Sequence, residues 1–211
     1  MRKHFRFSIY LAVVFAVCSA IAGSNEDFFR AVHVDNASRV AGFLKSGFDP
    51  NAPDEQGQVA LFLALRDGSP NVTAALLAHP RIRIDVANAA GETPIMMAAL
   101  RGELEWTLRL LDRGAQVNRP GWTPLHYAAA GPEPRAVALL LDRGARIEAA
   151  SPNRTTPLMM AAKYGDERSV DLLLVRHASA RARNDLGLNA ADFARQGGRD
   201  ALAARLELAA R

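Results

Sequence analysis

The residues with catalytic or ligating potential are few and scattered. Beyond residue 22 the histidines are His33, His79, His126 and His177, each at least 46 residues from the next. None has a second histidine or a carboxylate at metal-ligand spacing within its own predicted helix. The adjacent carboxylates Asp54-Glu55 and Asp166-Glu167 fall in segments that read as exposed loops, so solvated faces are expected rather than an acid/base pair. Met96-Met97 and Met159-Met160 carry soft sulfur, but each pair reads as adaptable filler divided between core and interface. No glycine-rich phosphate loop, nucleophile elbow or zinc signature is present. The expectation is a chain that is not an enzyme, with no cofactor and no metal.

The first 22 residues read as a separate object. Arg2, Lys3 and Arg6 form a positive region, and Phe7 to Cys18 is an apolar run broken only by Ser8. Ala20-Ile21-Ala22 supplies small residues for a signal peptidase, so cleavage is predicted after Ala22. The run of 12 residues is short of the roughly 20 that span a bilayer core, so an uncleaved anchor is the lesser reading. Cys18 is the only cysteine and leaves with the signal, which removes disulfides and thiol chemistry from the mature chain. The 26 basic residues against 22 acidic become 23 against 22 once the signal is gone, so charge does not argue for nucleic acid or membrane surfaces, and neither a nucleic-acid partner nor stable membrane insertion after cleavage is expected. The cluster Arg176, His177, Arg181 and Arg183 reads as a solvated flank, with no interleaved aromatics to stack bases. Scarce lysine beside abundant arginine suggests a GC-rich bacterial source and a periplasmic address.

The elements that position these residues repeat. Ala31, Ala64, Ala98, Ala128, Ala161 and Ala194 are spaced 33, 34, 30, 33 and 33 residues apart. Each is followed about a dozen residues later by an apolar step such as Leu76-Leu77, Leu110-Leu111, Leu140-Leu141 or Leu173-Leu174. A period near 33 residues marks a solenoid, in which each unit buries its apolar face against its neighbours.

Residues 121–150 show the grammar of one unit. Gly121-Trp122 makes a turn, Thr123 caps a helix, and Pro124 takes its first position, where no N–H is needed. Leu125 to Ala129 continue that helix, its alanines permitting close approach to the neighbouring unit. After a break at Gly131-Pro132, a second helix is predicted from about Glu133 to Arg143, with Val137, Leu140 and Leu141 on one face. Gly144 is expected to close it in a left-handed conformation.

Thr123-Pro124-Leu125-His126 with Ala128-Ala129, then Leu140-Leu141-Asp142-Arg143-Gly144-Ala145, resembles the ankyrin repeat. Gly91-Glu92-Thr93-Pro94 and Thr156-Pro157-Leu158 carry partial copies. The resemblance implies an all-α solenoid of about six helix-turn-helix units with short β-turn fingers, and a structural role for His126 in tying adjacent units. By register, residues 24–211 form a single domain with units 24–53, 54–87, 88–117, 118–150, 151–183 and 184–211. The first and last read as caps. Residues 118–121 are about three short, so the finger there is expected to be clipped. Arg154 replaces a turn glycine, leaving that finger's geometry open, while His177 replaces a helix-closing glycine. Leu108 is expected to be partly exposed, because Trp106-Thr107-Leu108-Arg109 reverses the usual order.

In the resembling family, partners bind the concave face. Carried over by register, that face comprises Gln58, Arg66, Asp67, Glu92, Leu100, Arg101, Arg119, Trp122, Lys163, Tyr164, Leu186 and Leu188. Trp122 and Tyr164 are residue types that dominate interface energetics when buried. For Trp122, packing across the clipped finger is an equal alternative. The resulting expectation is a monomeric, exported adaptor or scaffold for a protein partner. A secreted effector, or a small enzyme or ligand carrier with a site in the groove, are the alternatives.

Overall fold

A computed structural model describes residues 25–211. The predicted signal segment 1–22, its cleavage point and Cys18 lie outside the described residues. Among the described residues the chain is all-helical, with one isolated backbone bridge joining Pro53 and Val59. Residues 25–33 (α1) pair with α2 (Ala37–Lys45), and α3 (Ala60–Asp67) pairs with α4 (Pro70–Ala78). The remaining hairpins are α5 (Pro94–Leu100) with α6 (Leu104–Asp112), α7 (Pro124–Ala130) with α8 (Pro134–Asp142), α9 (Pro157–Tyr164) with α10 (Glu167–Val175), and α11 (Ala190–Gln196) with α12 (Asp200–Ala209). The chain divides between Ile82 and Arg83 into two compact units.

The first unit holds α1 to α4. Its core is built on Phe28, which stacks on Phe48 at 4.2 Å and meets Phe29 and Phe43 edge-on at 5.3 and 5.8 Å. Asp35 takes a left-handed backbone, with φ of 52°. Its carboxylate then accepts the Val72 N–H at 2.8 Å and the Asn71 side-chain amide at 2.7 Å. A negative charge at the start of α4 is favoured there by the helix dipole.

The second unit, α5 to α12, repeats one set of local devices. Thr93, Thr123, Thr156 and Asn189 stand at the N-caps of the first helices, with Pro94, Pro124 and Pro157 following the three threonines. The third residue of each helix reaches back to the cap N–H: Met96 Sδ at 3.4 Å, His126 Nδ1 at 3.1 Å, Met159 Sδ at 3.4 Å and Asp192 Oδ2 at 2.9 Å. Second helices close through left-handed Gly114 (φ 89°), Gly144 (φ 85°) and His177 (φ 68°), as their positions led us to expect.

These hairpins stack in two layers, α5–α7–α9–α11 and α6–α8–α10, with α12 closing on α11. Ala98, Ala99, Ala128, Ala129, Ala161 and Ala162 are completely buried, which lets first helices approach closely. Polar side chains bridge successive loops. Asp85 accepts the Gln116 N–H at 3.0 Å, Asn118 accepts that of Arg146 at 2.8 Å, and Glu148 accepts that of Ser179 at 2.6 Å. Ion pairs repeat the pattern outside, with Arg143 2.9 Å from Asp112 and Arg176 3.0 Å from Asp142.

The departures have physical outcomes. Eleven residues (113–123) connect α6 to α7, where fourteen (143–156) connect α8 to α9, so the finger before α7 is clipped. The finger containing Arg154 keeps the common geometry: Ser151 donates its N–H to the Thr155 carbonyl at 3.0 Å, as Asn88 does to Glu92 at 2.9 Å. Arg154 achieves this with φ of 60°, where the equivalent Gly91 and Gly187 have 79° and 74°. Leu108 is 38% exposed.

Candidate functional site

First helices α5, α7 and α9 are only seven or eight residues long, and their alanines face the neighbouring helices. The opposite sides of those helices are thereby left for other residues. Tyr127 and Ala130 lie three apart on α7, and Met160 and Tyr164 four apart on α9, so each pair shares a face. With Leu100 at the end of α5 and Trp122 from the clipped finger, they line an open, almost wholly apolar cleft of about 470 Å³.

The cleft unites Leu100, Trp122 and Tyr164 from the expected partner face. Tyr164 is 60% exposed, and Trp122 is half-buried. Trp122 also packs edge-on against His126, with ring centroids 5.1 Å apart, so its indole both lines the cleft and supports the wall behind it. Tyr127, Ala130 and Met160 were missing from the sequence-derived face. The available signal was helical spacing from His126, which turns inward and leaves its successor Tyr127 outward. The methionine pair Met159-Met160 divides as expected, Met159 into the core and Met160 into the cleft, whereas Met96 and Met97 are both buried.

His126 is completely buried. Its Nε2 lies 2.9 Å from the Thr155 carbonyl, which only accepts, so Nε2 carries the proton. Nδ1 is then the acceptor for the Thr123 N–H at 3.1 Å and hydroxyl at 2.9 Å. Burial holds its pKa below the ordinary histidine value. A neutral ring with both nitrogens engaged ties α7 to the next finger and has no capacity left for acid/base work.

Of the remaining face residues of the second unit, Glu92 and Lys163 contact rings that line the cleft. Tyr127 donates its hydroxyl to Glu92 Oε1 at 2.9 Å, and Glu92 Oε2 accepts the Asn88 amide at 2.9 Å. Burial, then the bonded Glu92 carboxylate, raise the Tyr127 phenol well above its ordinary range. Lys163 donates to the Gln196 amide oxygen at 3.1 Å and sits 5.1 Å from the Tyr164 ring centroid. Arg119 is half-buried, and its charge is felt by both Asp85 and Tyr127. Arg101 follows Leu100 at the end of α5. Leu186 stands 76% exposed on a finger tip, with half-buried Leu188 two residues on, both away from the cleft lining.

Gln58, Arg66 and Asp67 belong to the first unit and form their own chain. Arg66 donates to Gln58 Oε1 at 3.0 Å and to Asp67 Oδ1 at 2.7 Å, while His33 Nδ1 lies 2.7 Å from Asp67 Oδ2. Burial pushes the Asp67 carboxyl up, but the bonds from Arg66 and His33 outweigh it and hold the group below its usual value. A cleft of about 590 Å³ nearby is lined by Phe29, His33, Asp54 and Gln56 among others. Among the described residues, no group of three or more His, Cys, Asp or Glu is arranged to hold a metal.

Several other ionisable residues have structural partners. Asp54 accepts the N–H groups of Gln56 and Gln58 at 2.9 and 2.7 Å. Asp166 accepts the Arg168 N–H at 2.8 Å, and Glu167 pairs with Arg205 at 3.0 Å. In the basic cluster, Arg176 pairs with Asp142 and Arg181 donates to the Ala210 carbonyl at 2.6 Å. Among the described residues, no helix is long and apolar enough to cross a membrane.

A family model described as ankyrin repeats matches the chain three times, over residues 28–120, 82–151 and 117–186. Among curated proteins, 70 residues are 34% identical to the ankyrin repeat and SAM domain-containing protein 6 of Danio rerio, covering 33% of this chain and 10% of that protein. Another 70-residue match is 40% identical to the poly [ADP-ribose] polymerase tankyrase of Caenorhabditis elegans, covering 32% of this chain and 3% of that one. The chain therefore spans about a tenth or less of the length of these two relatives.

Proposed function

We infer, for a chain that belongs to the ankyrin-repeat family, that it acts as a non-catalytic adaptor or scaffold which docks a protein partner outside the cytoplasm. Ankyrin repeats are generally protein–protein interaction modules. The observation that carries the reading is the apolar cleft on the first-helix face, where Trp122, Tyr127 and Tyr164 stand partly exposed around Leu100 and Met160. Half-exposed aromatic rings on a rigid helical support are the residues through which interfaces gain most of their affinity. The engaged state of His126, Glu92 and Asp166 supports the absence of catalysis. The signal-like segment 1–22 supports export, and the scarcity of lysine a bacterial periplasm, with residues 24–211 acting as a single monomeric array.

The test is capture of partners from periplasmic extract by the tagged full chain, compared with Trp122→Ala and Tyr164→Ala. Each substitution is expected to weaken capture about thirtyfold, the value of a 2 kcal/mol anchor, while helical ellipticity and its melting profile stay close to wild type. Trp122→Phe, which keeps a ring against His126, separates lost packing from lost recognition. Capture unchanged by both alanine variants would refute the docking role of this face. Cell fractionation that leaves the chain in the cytoplasm would refute export.

A further inference from the structure

The cleft carries a reactive atom that its docking role leaves unused. Of the chain's five methionines, Met96, Met97, Met159 and Met160 lie among the described residues. Three of these are closed off. Met96 and Met159 are completely buried, and each sulfur accepts a backbone N–H at 3.4 Å, from Thr93 and Thr156 respectively. Met97 is only 5% exposed. Met160 is half-buried, and it lines the open cleft beside Trp122, Tyr127 and Tyr164. The single cysteine, Cys18, lies in the predicted signal segment, so no thiol among the described residues competes with that sulfur for an oxidant.

A hydroperoxide reacts with a thioether by oxygen transfer. A sulfur lone pair attacks one peroxide oxygen, the S–O bond forms and the O–O bond breaks. The departing oxygen takes up a proton and leaves as water or an alcohol, so sulfur loses two electrons and the peroxide gains them. The product is a polar, chiral sulfoxide with a strong acceptor oxygen. The cleft offers that oxygen little, because its lining is almost wholly apolar and the Tyr127 hydroxyl is already donated to Glu92 at 2.9 Å. An apolar partner group seated there would strip water from the sulfoxide without replacing the lost hydrogen bond. The fold itself is spared, since Met160 faces the cleft while its neighbour Met159 serves the core and the start of α9.

We propose that Met160 is an oxidative modification site, at which a hydroperoxide forms the sulfoxide and thereby turns the docking cleft polar. The proposal rests on the docking role inferred above and supplies a regulation of that same face. The modified chain stays folded and releases its partner, and reduction of the sulfoxide restores the cleft.

The test treats the full chain with about 10 mM hydrogen peroxide and follows each methionine separately. Trypsin releases residues 84–101 and 155–163, and tandem mass spectrometry places the added oxygen within the pairs Met96-Met97 and Met159-Met160. Met160 should gain oxygen at least about tenfold faster than the other three. Once the peroxide is removed, capture of the proteins that Trp122→Ala fails to hold should be weaker by about tenfold or more, with ellipticity unchanged. Methionine sulfoxide reductases acting on both epimers, with dithiothreitol, should restore capture. Met160→Leu should make capture insensitive to peroxide, whatever its starting level. Equal oxidation of Met97 and Met160, undiminished capture by chain oxidised at Met160, or peroxide-sensitive capture by Met160→Leu would overturn the proposal. The two readings separate cleanly. Capture that depends on Trp122 but survives oxidation of Met160 overturns this inference alone. Selective oxidation of a chain that captures no partner supports the modification site and counts against the adaptor role.

Discussion

Gly165→Ala sets a methyl carbon 2.0 Å from the Ala129 carbonyl oxygen and 3.0 Å from the Ala161 Cα. Gly165 ends α9 with φ of −84° and ψ of 177°, an extended conformation open to any residue, so backbone strain plays no part. The whole cost is steric, and it falls on backbone atoms that cannot swing aside. An ordinary carbon–oxygen contact needs more than about 3 Å, so α7 and α9 would have to separate by roughly 1 Å. A gap of that size forfeits a quarter to a half of the dispersion energy at each contact across the seam, and overpacked sites typically cost about 1–3 kcal/mol or somewhat more. We expect a loss of about 3 kcal/mol, or about 1.5 M in the urea midpoint for a slope near 2 kcal/mol per molar. Circular dichroism through a urea titration measures it. Gly144→Ala is the internal comparison: it meets nothing within 4 Å but has φ of 85°, so only about 1–2 kcal/mol of left-handed strain applies. A Gly165→Ala midpoint equal to or above that of Gly144→Ala would refute the argument that close backbone approach holds this stack.

Other perturbations probe other joints. Arg154→Gly relieves a positive φ in an exposed finger and should stabilise by about 0.5–1 kcal/mol, raising the melting temperature by about 1–4 °C; an unchanged or lower value would refute the strain assignment. His126 is neutral when folded and its pKa is depressed by burial. Its stabilising contribution is thus complete above about pH 6.5, the unfolded value, and is lost as pH falls through it toward the depressed folded value. Below about pH 6.5 stability should fall as pH falls, and His126→Leu should remove that component from the urea profile. Identical slopes for the two proteins would contradict it. Arg199 donates to the carbonyls of Ala161, Ala162 and Gly165 at 3.1, 3.1 and 2.8 Å, capping α9 from the last hairpin. Arg199→Ala should cost about 1.5–3 kcal/mol, seen as tenfold or faster hydrogen exchange in α11 and α12 with little change in α5. A uniform effect along the unit would count against a local cap.

The devices that begin and end each helix were readable because they act within a few residues. Thr123 with Pro124, Gly144 at a left-handed closure and His177 in glycine's place all work through local backbone conformation and hydrogen bonding. The alanine repeat announced close approach, since only a small side chain tolerates it. The partner face was readable in part. Trp122, Tyr164 and Leu100 converge on one cleft, but Tyr127 and Met160, which complete it, carry no mark in the repeat pattern. Gln58, Arg66 and Asp67 instead form a network in the first unit.

By itself, then, the chain's order of residues determined a repeated all-helical hairpin, its caps, its clipped finger and the inward turn of His126. Each of these is decided by interactions spanning fewer than ten residues or by a period of about 33. Only the tertiary structure decided that a methyl on Gly165 would meet the Ala129 carbonyl at 2.0 Å, that Arg199 donates to the Gly165 carbonyl 34 residues before it, and that three aromatic rings share one cleft, with Lys163 over one of them. Those outcomes depend on the distance and rotation between neighbouring hairpins. That geometry is set by how whole buried faces pack together, and no single residue's identity encodes it.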